Sequence, residues 1–242
     1  MRPLVASDFS LAACQAVVFT PDQDVPLAKA SRELVTAWSD TFDEPPTMLP
    51  QVEGMPADLP RLILQGGGKQ WRFEVAPRRA AVHWQLAVPS AQASISPKDF
   101  FSKGQVLLKD YQSRFEPRIG RLAAVMTRMA PHTSPGLFLA SHFCKDRWLS
   151  TPLNRPESFE LHAHKRFSMG SFVVNSWVRV KTALLVEALE KKTLVIVEQD
   201  INTMAEEEGV RSFQLSEVER FFSAVAKESD DILNLYFPPP VS

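Results

Sequence analysis

The chain has 242 residues, of which 45% are hydrophobic and 23% charged, with 27 lysines and arginines against 28 acids and a formal net charge of −1. This is globular composition, with enough chain to bury a sizeable core in one large domain or two small ones. It excludes a disordered chain and a global field that would draw the protein to nucleic acid or an anionic membrane, and no run approaches the roughly 18 apolar residues of a membrane span.

The opening MRPLVASDFSLAA is too polar for a signal peptide. Leu11–Thr20 is short and rich in β-formers, which predicts a strand, and Leu27, Ala30, Leu34 and Trp38 then recur at helical spacing through about residue 41. The proline-rich stretch EPPTMLPQVEGMPADLP (44–60) predicts an extended, non-helical connection. Three short strands follow at 61–65, 70–76 and 80–87, with turns at Gly66-Gly67-Gly68 and Pro77-Arg78. Ser96-Pro97 marks a helix start, and Phe100, Gly104, Leu107, Leu108, Tyr111 and Phe115 form its apolar stripe.

After Pro117 the order restarts. A strand is predicted over 118–129, and Ser134-Pro135 predicts a capped helix through about Trp148. TPLNRPES (151–158) reads as a loop, and strands are predicted at 159–167, 172–184 and 193–202. A last helix opens at Ser216 with Glu219 as its capping box, and Val218, Phe221, Phe222, Val225, Ile232 and Leu233 are its buried stripe. The expected fold is α+β: two similar β-α-β-β-β-α halves, 1–117 and 118–242, as two domains or one continuous unit, with antiparallel sheets carrying helices on one face. The two cysteines, Cys14 and Cys144, read as free, buried thiols in a reducing compartment, so a soluble cytoplasmic protein without membrane association is expected.

Chain length, the connection DLPRLILQ into the strand WRFEV and the terminal helix FFSAVAKESDDIL resemble a sporadically distributed, uncharacterised family of bacterial proteins. The likeness spans most of the chain, rests on no diagnostic motif and brings no catalytic residues with it. The element order also resembles the duplicated saddle of TATA-binding-like folds, a likeness of fold that implies no DNA binding.

FELHAHKRF (159–167) raises the first question of function. In a strand, residues two apart share a face, so Glu160, His162, His164 and Arg166 stand together. Three readings fit: a mixed-charge face whose acids and bases neutralise one another, a partner-binding face, and a zinc site. The zinc site needs a third ligand, and Asp200 or Glu198, two strands on, are the acids within its reach. Arg166, Arg179 and Lys181 oppose a dication there. Trp177 lies in line with Asn175, Arg179 and Lys181 rather than with the valines beside it. Aromatic and arginine side chains recur at interface hot spots; the other reading is that the proline-rich loop or the other half covers this face.

In the first half, Lys69, Arg72, Arg78 and Arg79 interleave with Trp71, Phe73, His83 and Trp84, which suits stacking on single-stranded nucleic acid. The alternation of Trp71, Phe73 and Val75 with Arg72 and Glu74 is equally that of a half-buried strand. Gly66-Gly67-Gly68 precedes a strand and lacks the helix terminus of a phosphate cradle. His142 and Cys144 are two apart on a predicted helix and point in different directions. No Walker, nucleophile-elbow or Cys-x-x-Cys motif is present.

The leading expectation is a non-catalytic binding or assembly protein without a cofactor. Glu160, His162, His164, Arg166, Trp177, Arg179 and Asp200 would meet a protein partner or a second copy. The alternatives are nucleic-acid binding through Lys69, Arg72, Arg78 and Arg79, and a metal-dependent enzyme using His162 and His164 with Asp200.

Overall fold

A computed structural model describes residues 3–22, 26–50, 54, 56–87, 95–145, 149, 155–187 and 190–240. Among these, β1 (Ser10–Phe19), α1 (Leu27–Ala37), β2 (Thr47–Met48), β3 (Leu62–Gly66), β4 (Trp71–Ala76), β5 (Arg79–Gln85) and α2 (Pro97–Phe115) are followed by β6 (Arg121–Pro131), α3 (Pro135–Phe143), β7 (Glu160–Met169), β8 (Phe172–Glu187), β9 (Glu190–Thr203) and α4 (Leu215–Tyr236). The fold is α+β, and all nine strands belong to one antiparallel sheet in the order β2-β3-β4-β5-β1-β6-β9-β8-β7. The plural sheets expected for the two halves are therefore a single sheet. Its seam is the β1–β6 ladder, in which Ala16 faces Ala124 and Val17 faces Ala123. Outward from β1 the strands run β5, β4, β3, and outward from β6 they run β9, β8, β7.

The helices gather on one face because one set of alternate side chains along most strands is predominantly apolar. Ala16 and Val18 of β1, Phe73 and Val75 of β4, Val82 and Trp84 of β5, Leu122 and Met126 of β6 and Val174 of β8 are all buried. They meet the apolar stripes of α1, α2 and α4 in one continuous cluster. Aromatic contacts join the layers: Trp71 stacks on Phe100 at 5.7 Å, Phe73 meets Trp38 edge-on at 4.7 Å, and Phe101 stacks on Phe222 at 5.7 Å between α2 and α4. A bulge between Leu11 and Ala13 shifts the alternation of β1, so Leu11 and Cys14, three apart, both reach the core. Burial pushes the Cys14 thiol up, away from the reactive thiolate.

One charge lies within this layer. Arg128 of β6 is 3% exposed, donates to Gln199 Oε1 and to Ser229 Oγ at 3.2 Å, and pairs with Asp230 Oδ1 at 2.6 Å, fastening α4 to the sheet. Burial disfavours its charged form, and Asp230 acts against that.

Several local expectations shift. Ser96 caps α2 as its sequence predicts, accepting from Asp99 N–H at 3.1 Å. Ser134 makes no side-chain cap on α3, and its own N–H donates instead to His132 Nδ1. That helix ends at Phe143, and the stretch 146–148 expected to extend it lies outside the described residues. The capping box of α4 is Gln214 with Glu217, two residues ahead of Ser216 and Glu219, because the helix begins at Leu215 and Ser216 already lies in its first turn. Glu219 pairs with Lys109 of α2 at 2.9 Å. Cys144 is half-buried at the end of α3, not fully buried. The proline-rich connection contributes the two-residue β2 on the sheet edge. No helix among the described residues is long and apolar enough to cross a membrane.

Candidate functional site: the helix-free face of the sheet

No helix among the described residues packs on the other face of the sheet, and strand alternation decides what stands there. Hydrogen-bonded register aligns one row of side chains across eight strands: Gln65, Arg72, His83, Gln15, Val125, Asp200, Trp177 and His164. A neighbouring row brings Gln85, Ala13, Thr127, Glu198, Arg179 and His162 into line. Over the middle strands the floor is low, with Val17, Ala81 and Ala123 buried beneath Phe19.

All seven residues expected to form the partner face, Glu160, His162, His164, Arg166, Trp177, Arg179 and Asp200, lie on this side. Most are tied to each other. His162 Nε2 is 2.7 Å from Glu160 Oε1, and this bond, ahead of the charges of Arg179 and Lys181, holds the Glu160 carboxyl below its ordinary range. Arg179 reaches Glu160 at 3.5 Å and Glu198 at 3.2 Å, while Lys181 reaches Glu198 at 2.6 Å. Arg166 pairs with Glu206 and donates to Asn175 Oδ1, both at 3.0 Å. The His164 ring stacks on Trp177, with centroids 4.2 Å apart and planes 19° from parallel.

A groove of about 540 Å³ opens among these side chains, lined by Val125, Thr127, His162, Trp177, Arg179, Glu198 and Asp200. Its floor residues Val125 and Thr127 were absent from the expected set. The signal was available, since alternation along β6 places both opposite buried Ala124 and Met126, but only the β6–β9 pairing brings them beside Asp200 and Glu198. Asp200 is half-buried, and that burial pushes its carboxyl up.

The zinc arrangement is not assembled. β8 runs between β7 and β9, so Arg179 stands in register between His162 and Glu198, and Trp177 stands between His164 and Asp200. Two strand spacings amount to about 9.5 Å, whereas zinc holds its ligands at about 2 Å. Among the described residues no group of three or more His, Cys, Asp or Glu side chains is placed to hold a metal ion.

The first-half basic residues are divided as well. Arg72 and Arg79 lie on the helix-free face and both pair with Glu74, at 3.1 and 3.5 Å. Lys69 and Arg78 are exposed in turns at opposite ends of β4, about 20 Å apart by strand length. Lys69 follows Gly67 and Gly68 in left-handed backbone (φ 59°, 64° and 68° in order), which places it at a hairpin tip. Trp71, Phe73 and Trp84 face the helices and are buried, so the basic and aromatic side chains of this stretch point to opposite sides of the sheet. Glu74, not singled out from the sequence, proves to be the hub of this cluster, with His83 Nε2 at 3.1 Å completing it.

Set against known proteins, the chain matches no protein-family model and no curated protein.

Proposed function

We propose that the protein is a non-catalytic binding protein whose helix-free sheet face, centred on the groove beside Trp177, receives a partner protein. The observation that carries this reading is Trp177 itself: a tryptophan 48% exposed on a strand, held in one orientation by His164 and opening onto a concave surface. Large apolar surface left in water at a shaped site is characteristic of an interface, and a rigid aromatic loses little entropy when covered. The ion pairs of Glu160 and Glu198 with Arg179 and Lys181 surround it as a polar rim, and their mutual neutralisation suits recognition better than proton transfer.

The test is retention of a partner from native lysate by wild type, Trp177→Ala and a control, Leu235→Ala, whose side chain is exposed on α4. The expected result is one protein retained by wild type and control and lost by Trp177→Ala, with light scattering showing a 1:1 complex. A doubling of the chain's own mass that Trp177→Ala abolishes would put a second copy on the same face. Retention of nothing by a strictly monomeric chain, or retention indifferent to Trp177, overturns the proposal.

A further inference from the structure

The acids around the groove differ in one respect. Glu160, Glu198 and Glu206 each lie within ion-pairing distance of an arginine. Asp200 has no ion-pair partner among the described residues, and its side-chain hydrogen bond there is a single one, from Asn202 Nδ2 to Oδ1 at 3.0 Å. The orientation of that amide is determined, because Arg121 Nη2 donates to Asn202 Oδ1 at 3.0 Å and leaves Nδ2 facing Asp200. Arg121 itself is committed elsewhere: its guanidinium sits over the Phe19 ring at 4.6 Å and 3.8 Å from Glu208. A half-buried carboxylate is thus left without an ion pair. The Asn202 hydrogen bond and the more distant charge of Arg121 act on it, but burial outweighs both and raises its pKa.

Trp177 is the register neighbour of Asp200, which puts their Cβ atoms about 5 Å apart. An indole and an unpaired carboxylate side by side in a groove form a receptor for a cation. An anion would meet Asp200 and Glu198, while Arg179 and Lys181 are already engaged by acids. Guanidinium suits the pair better than ammonium, since it is planar, weakly hydrated and able to stack on indole while hydrogen-bonding a carboxylate.

We propose that the groove takes an arginine side chain of the partner, its guanidinium laid against the Trp177 indole and paired with the Asp200 carboxylate. This rests on the reading of the helix-free face as a partner surface. The probe is acetyl-arginine amide, titrated into the full chain while the indole N–H resonance of Trp177, assigned with Trp177→Phe, is followed by NMR. Acetyl-citrulline amide is the neutral control of equal shape.

The expected result is saturation in the millimolar range with the arginine probe, and at least about fivefold weaker binding of citrulline or of the arginine probe to Asp200→Asn. No movement of the Trp177 resonance, equal response to both probes, or binding unchanged in Asp200→Asn overturns it. The two proposals separate in the lysate experiment. Partner retention lost in Trp177→Ala but intact in Asp200→Asn sinks the arginine and keeps the face, whereas retention indifferent to both sinks the two together.

Discussion

The two flanks of the helix-free face use similar side chains to opposite ends. On the first-half flank, Glu74 is surrounded by Arg72, Arg79 and His83, its side chain is 8% exposed, and the tryptophans of the same strands point to the core. Burial alone would raise its carboxyl, but the His83 hydrogen bond and the two arginines outweigh that and hold it below the ordinary range. On the second-half flank, Asp200 is half-buried, yet Arg121 is turned to Asn202, and the tryptophan of the neighbouring strand points outward beside it. A buried acid ion-paired to its cations consolidates a sheet, whereas a half-buried one with no cation within pairing distance can still take a charge from elsewhere.

The widest difference between the flanks is expected from their aromatics. Phe73→Ala empties a fully buried position packed against Trp38 and Tyr111 and is expected to cost about 3–5 kcal/mol, lowering the melting temperature by roughly 10 °C. A fall of only a degree or two would show that the first-half sheet face is not the core it is taken to be.

Glu74→Gln should cost about 2 kcal/mol near neutral pH, because it leaves Arg72 and Arg79 without their shared acid. The sign of its pH dependence follows from the depressed carboxyl. The contribution of Glu74 is present above the unfolded-state pKa and disappears as pH falls through the folded one, so the melting curves of wild type and variant should converge in acid.

Trp177→Ala is expected to cost no more than about 1 kcal/mol, mainly the stack on His164, while abolishing partner retention. A large loss of stability would make Trp177 a core residue and remove the main support for the binding face.

Smallest, and opposite in sign, is Asp200→Asn. The raised carboxyl costs stability above its folded pKa, and that cost vanishes below the unfolded pKa, where Asp200 is protonated in both states. The variant should therefore gain a few tenths of a kcal/mol near neutral pH, a gain that fades as the solution is acidified. Destabilisation by this substitution, measured by urea unfolding at pH 7, would mean that the carboxylate is paired after all and would close the gap between the flanks.

What the sequence by itself determined follows from the period-2 pattern of strands and the 3.6-residue stripe of helices. Those repeats assigned the α+β class and, β2 apart, the order of helices and strands, and they placed Glu160, His162, His164 and Arg166 on one side of one strand and Trp177 with Arg179 on one side of another. Alternation tells which side chains share a face; it does not tell which strand lies alongside or which face the helices cover. Only the tertiary structure joined the halves through β1 and β6 and set β8 between β7 and β9, and that order parted the histidines from Asp200 and Glu198 by Trp177 and Arg179. Alternation already gave Trp71 the reading of a half-buried strand and set Trp177 among polar neighbours; the packing of α2 on β4 and β5 buried Trp71 and Trp84, while Trp177 stayed exposed. Burial of a strand residue is settled by what packs on its face, and the helices that pack here come from distant parts of the chain.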